Sequence, residues 1–320
     1  QRPNRKLYGP WHDVTMLVEG EAAAALADLG RKRWVLAGGE PMEPCPQDTA
    51  SPWPESLQAE FQYVDIGIAR TRAEYKEVGE IREIQNLFLE QIKRAKKFIY
   101  AENQYFASPK IADAIAHRMA EPDPPEIVLV NPSTADGWLE QKAMDGARVQ
   151  LLRAIGEHDK QDRFSIYFPE TKLGKPIYVH AKLMIVDDEI LRIGSANMNN
   201  RSLGLDSECD VFIDTSRPDN AGAGDTIKAL RISLLAEHTG LSPEKVEALL
   251  DEGSSMHAII KGSSNDGRRL RRLDLPELTE AEKVLAENAV LDPESADELF
   301  EPFNSPGLFS RAKRLKSPDE

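Results

Sequence analysis

Residues 179–210 read VHAKLMIVDDEILRIGSANMNNRSLGLDSECD, and the order of polar groups in this run decides how the chain is read. His180 and Lys182 are two apart, a spacing that puts both on one face of an extended strand. Asp187 follows after four intervening residues, then Gly194-Ser195-Ala196-Asn197, Asn199-Asn200-Arg201-Ser202 and Asp206-Ser207-Glu208. A strand face carrying both an imidazole and an ammonium makes a poor apolar core, so these residues are expected at a working site. The pattern suits phosphodiester chemistry. Histidine titrates near ~6.5 and serves as nucleophile, acid or base. Lys182 supplies a fixed cation for the charge developing on the non-bridging oxygens. Ser195 and Asn197 can donate hydrogen bonds to the same oxygens, and Glu208 is the candidate for orienting the imidazole. Asp187, in the turn Asp187-Asp188-Glu189, is placed with the catalytic set by its spacing, although a turn aspartate usually bonds backbone.

Outward from this run, strands and helices alternate. Strands are expected at 12–18, 61–69, 98–101, 126–131, 164–168, 179–186, 190–193 and 209–213. Helices are expected at 21–37, 80–95, 111–119, 138–155 and 225–250. This alternation predicts an α/β sandwich with both sheet faces covered. Three regions are expected: 1–60, ending in a proline-rich connection; 61–240, the catalytic domain; and 241–320, a polar, loosely packed extension. The arginines at 268, 269, 271 and 272 and the basic run at 311–316 are read as solvated surface.

Composition narrows the possible partners. Against 40 basic residues stand 54 acidic ones, a net charge of −14, which argues against a protein that coats nucleic acid. The two cysteines, Cys45 and Cys209, form neither a disulfide framework nor a metal-ligand spacing. No cofactor or metal is expected, because the His/Lys arrangement works without a cation and the acids form no ligand cluster. No apolar run is long enough to span a bilayer and no signal peptide is evident, so a cytoplasmic or peripheral-membrane location is expected.

The order His180-x-Lys182, Asp187, then Gly-Ser-x-Asn resembles the signature of the phospholipase D superfamily, and the whole run 179–210 resembles the second motif of true phospholipases D. YAENQYF at 100–106 resembles the strand end that precedes this motif, and GPWHDV at 9–14 the segment that follows the first one. The resemblance covers roughly residues 8–240. It implies a phospholipase D-type α/β/α sandwich with a mixed sheet, comprising the second half and part of the first. It also implies hydrolysis or transphosphatidylation of glycerophospholipids through a phosphohistidine, giving phosphatidic acid and a headgroup alcohol. Asn103, Gln104 and Tyr105 are then expected to line the site, and the partner is a phospholipid at a membrane surface. Family members pool two motifs at one centre, and this sequence holds one. The first is expected upstream of Gln1, or from a second copy in a homodimer, so the chain is expected to be inactive alone. In the two-motif arrangement His180 is the general acid and base. A cardiolipin synthase-like transferase, a nuclease and an inactive fragment are the competing readings.

Overall fold

The computed structural model describes residues 8–44, 53–75, 77–133, 138–263, 267–273 and 292–293, with backbone alone for 138–145. Cys45, the side chain of Trp138, the basic run at 311–316 and most of the segment after 273 lie outside the described residues.

Nine strands form one mixed sheet. They are β2 (Gly67–Arg72), β3 (Ile81–Arg82), β4 (Phe98–Glu102), β5 (Glu126–Val130), β6 (Phe164–Glu170), β8 (Leu183–Val186), β9 (Ile190–Gly194), β10 (Glu208–Asp214) and β11 (Arg269–Arg272). Their order is β11-β6-β5-β4-β8-β9-β10-β2-β3. Strands β4, β5 and β6 run parallel and all other pairs are antiparallel. A separate parallel pair joins β1 (Trp11–His12) to β7 (Tyr178–Val179).

Side-chain alternation along the central strands explains why both faces are covered. Ile99, Ala101, Ile127, Leu129, Met184 and Val186 join one core cluster, with Ile84 and Phe88 of α2 (Glu83–Arg94). The same cluster takes Ile111 and Ile115 of α3 (Pro109–Met119) and Ile155 of α4 (Trp138–His158). The intervening Tyr100, Val128, Val130, Leu183 and Ile185 face the other way. They pack on α5 (Gly224–Thr239), α6 (Pro243–Asp251) and α7 (Met256–Gly262) through Leu235, Val246 and Ile260. Each such side chain contributes roughly 1.5–3 kcal/mol on burial. The fold is therefore the expected α/β sandwich with a mixed sheet. Helix α1 (Glu21–Leu36) stands apart: it buries no residue, and Trp34, Val35 and Leu36 are exposed.

Several expectations are corrected. The strand expected over 12–18 is only Trp11–His12, because Asp13 Oδ1 accepts from the amide of Val14 and the chain leaves its partner. The strand expected over 179–186 is two strands with residues 180–182 between them, since β7 pairs with β1 while β8 pairs with β4 and β9. The helix expected over 225–250 is broken by Gly240, whose φ of 72° ends α5. Ser242 then caps α6, with Pro243 in its first turn. Nor is 241–272 loosely packed: α6 and α7 join the second core cluster, and three of the four arginines lie in edge strand β11. There Arg269 donates to Glu170, Arg272 to Asp162, and neighbouring Arg268 to Glu237.

Candidate active site at the β4–β8 end of the sheet

Sheet register gathers the polar residues. Glu102, at the end of β4, pairs with Leu183, the start of β8; Ile99 pairs with Val186 at the opposite end. Residues 102–104 and 180–182 therefore share one edge, while Asp187 lies at the other. Gly194, which ends β9, lies opposite Asp210 near the start of β10, and its amide donates to the Lys182 carbonyl at 3.1 Å. This carries Ser195 to the same edge. A glycine is required there: an added Cβ would fall 2.5 Å from Asp210 Cα.

His180 is 40% exposed and Lys182 is 6% exposed, so the two do not present equally on one face as the spacing suggested. The His180 amide donates to the carbonyl of His12 at 2.8 Å, extending the β1–β7 pairing by one residue. That register brings Asp13 beside the imidazole, with His180 Nδ1 3.0 Å from Asp13 Oδ2. The carboxylate that meets the His180 imidazole is thus Asp13, from the segment 9–14, and not Glu208 as expected. The quoted GPWHDV contained this residue; the missing signal was pairing across 167 positions. Trp11 packs against the same imidazole, ring centroids 5.6 Å apart.

Lys182 Nζ donates to Gln104 Oε1 at 3.2 Å and to the His180 carbonyl at 2.8 Å. Burial lowers its pKa to about 8, only partly opposed by the charges of Asp13, Glu208 and Asp210. Gln104 in turn donates to the hydroxyls of Tyr178 at 2.8 Å and Tyr105 at 3.1 Å. Gln104 thus bridges Lys182 to the two tyrosine hydroxyls. Asn103 does not line the site; it is fully buried, and its Oδ1 accepts from the amides of Tyr105 and Met198.

Glu208 holds the loop instead. It accepts from Ser195 Oγ at 2.5 Å and from Ser202 Oγ at 2.7 Å, and burial pushes its carboxyl pKa upward against those two bonds. Asp210, not singled out from sequence, accepts from the amides of Ser195 and Ala196 at 2.9 and 3.0 Å. Its other partner is the fully buried Arg192, 3.4 Å away, whose guanidinium lies over the Phe88 ring. Asn197 leaves its Oδ1 buried and without a partner among the described residues. Arg201 is committed to Asp206 rather than Glu208, through bonds of 3.0 and 2.7 Å. Asp187 accepts from the amides of Lys96, Lys97 and Phe98 at 2.6–2.8 Å, which makes it a clamp on the start of β4 and removes it from the catalytic set.

Beneath Asp13 lies a buried ionic cluster. His12 Nε2 donates to Glu102 Oε2 at 2.6 Å, and His238 Nε2 and the Tyr100 hydroxyl donate to Glu102 Oε1 at 3.0 and 2.6 Å. Burial alone would lower the His12 pKa, but the bond and charge of Glu102, with Glu237, raise it to about 9. His12, Glu102 and His238 are the group among the described residues that could hold a metal ion. Their direct mutual bonds already account for these donor atoms.

A family profile described as Phospholipase D matches residues 138–270. Phospholipase D alpha 1 of Arabidopsis thaliana is 26% identical, over 73% of this chain and 40% of its own length. Phospholipase D1 of Saccharomyces cerevisiae is 30% identical, over 74% of this chain and 18% of its own. A solved structure of Nuc, a phospholipase D family member from Salmonella typhimurium, has a TM-score of 0.35 at 16% identity, covering 65% of this chain and 97% of that one. The chain belongs to the phospholipase D superfamily. It spans less than half the length of the two phospholipases D compared here.

Proposed function

We propose that this site supplies the acid–base half of a phospholipase D-type phosphodiesterase acting on glycerophospholipids. The observation that carries the reading is the pairing of His180 Nδ1 with Asp13 beside the partly desolvated Lys182. With Nδ1 held by the carboxylate, Nε2 is the nitrogen left to face substrate. A histidine from the other half of the protein, or from a second copy, attacks phosphorus and forms a phosphohistidine. As the P–O bond to the headgroup breaks, His180 Nε2–H gives its proton to the departing alcohol oxygen. The neutral imidazole then takes a proton from water, whose oxygen attacks phosphorus and releases phosphatidic acid. An alcohol in place of water gives transphosphatidylation. Lys182 neutralises the non-bridging oxygens throughout and the Asn197 amide bonds them, while Ser195 stays tied to Glu208. The exposed Trp34, Val35 and Leu36 of α1, near a site where Arg33 reaches the Glu208 carbonyl, support a further protein surface covering this edge.

The test uses this chain joined to the remainder of its protein or mixed with a second copy. His180→Ala is expected to abolish choline release from phosphatidylcholine while leaving the circular dichroism spectrum intact. Undiminished release by that variant would sink the assignment.

A further inference from the structure

A second cationic site lies away from the catalytic edge. A cleft of about 500 Å³ opens between α7, β6 and β11, and Lys261, Arg269, Arg271 and Arg272 all line it. Asp162 is the one carboxylate in its wall. The neutralisation of these four cations is incomplete. Glu170 takes a 2.8 Å bond from Arg269, and Asp162 pairs with Arg272. Arg271, 54% exposed, reaches only the already engaged Glu170, at 3.7 Å. Lys261 is exposed, and the nearby charge of Asp162 is already paired with Arg272. Such a concentration of positive charge is unusual in a chain of net charge −14, and gathered cations repel unless an anion joins them.

The walls narrow the class of anion. Three guanidinium forks and an ammonium suit phosphate oxygens, and a phosphomonoester carries nearly two charges at neutral pH where a phosphodiester carries one. The apolar side chains of Ile260 and Leu270 also line the cleft, giving a surface for an organic backbone as well as the anion. Tyr167 bonds His257 Nδ1 at 2.8 Å, and His257 Nε2 bonds the Arg163 carbonyl at 3.0 Å, which holds the aromatic wall in place. Four strand spacings separate β11 from β8, roughly 19 Å at ~4.8 Å each. The cleft is therefore physically distinct from the His180 centre.

We propose that this cleft is a second, non-catalytic binding site for the phosphomonoester group of a small organic phosphate or a lipid headgroup. The assignment rests on the cleft's own cations and stands or falls independently of the catalytic reading. The test is equilibrium binding of the full chain to three probes: glycerol 3-phosphate in solution, phosphatidylcholine vesicles containing phosphatidic acid, and the same vesicles containing phosphatidylglycerol. The wild type is expected to bind at least one phosphomonoester probe about tenfold more tightly than phosphatidylglycerol vesicles. Binding to glycerol 3-phosphate alone identifies a soluble ligand, and binding to phosphatidic acid vesicles a lipid headgroup. The double variant Lys261→Glu/Arg271→Glu, both positions exposed, should lose that binding with an unchanged melting temperature. His180→Ala should keep it. Equal binding to phosphatidylglycerol, no binding to either phosphomonoester, or full binding by the double variant overturns the proposal.

Discussion

Lys182 shows how one position sets a chemical operating range. Its ammonium is drawn into the sheet edge by the same contacts that aim it, the His180 carbonyl and Gln104, and burial lowers its pKa to about 8. The lysine is a cation below that value and neutral above it. Affinity for an oxyanion such as vanadate is therefore expected to fall as pH rises through 8, and Lys182→Met should bind weakly with no such slope. A wild-type affinity unchanged between pH 7 and about 9 would contradict the assigned role. At the same scale, Glu208, read from sequence as the group that orients the imidazole, instead holds the loop together with Asp210. Glu208 secures two serine hydroxyls, and Asp210 secures two loop amides while neutralising Arg192.

Between elements, Asp187 and His12 act as fasteners. Asp187 ties the turn after β8 to three amides at the start of β4, so Asp187→Ala leaves those donors without their acceptor. A loss of roughly 1–3 kcal/mol in unfolding free energy is expected, with vanadate affinity of the folded fraction unchanged. A direct loss of affinity with normal stability would return Asp187 to the site. His12 joins β1 to β4 and, through Glu102, to α5. Its folded pKa of about 9 exceeds the ordinary 6.5, so the stabilisation is complete below pH 6.5 and disappears as pH rises through 9. The whole effect is roughly 3 kcal/mol. Denaturation curves between these limits should show that slope, and His12→Phe should lack it.

Over the whole molecule, a distant part of the chain closes on the site. Asp292 is buried and accepts from the amides of Asn200 and Arg201 at 2.8 and 2.9 Å, at the entry to the π-helix Arg201–Leu205. Ser202 of that helix bonds Glu208, and Glu208 bonds Ser195, which links residue 292 to the Gly-Ser-Ala-Asn loop. Burial raises the Asp292 pKa from 3.8 to about 6 in spite of the two amides. Here the sign is opposite to that of His12. The folded state keeps a proton that the unfolded chain releases, so ionised Asp292 costs stability above pH 6, and that cost is gone below pH 3.8. Asp292→Asn should therefore raise stability at pH 7 relative to pH 5, compared with the wild type; an identical pH profile would exclude this coupling. Among the described residues no helix is long and apolar enough to cross a membrane.

The sequence by itself determined the class of fold and picked out the run 179–210 that the sheet gathers. Short continuous apolar runs such as 127–130 and helix caps such as Ser242 before Pro243 are local signals, and His180, Lys182 and Ser195 are separated by few residues. What only the tertiary structure decided depends on long-range pairing. Asp13 replaced Glu208 as the partner of His180 because β1 lies parallel to β7 in one register. Asp187 left the site because antiparallel β4 and β8 put it at the far end of the sheet. Arginines that read as solvated charge became an edge strand, and the acids that pair with two of them, Glu170 with Arg269 and Asp162 with Arg272, lie about 100 residues earlier in the chain.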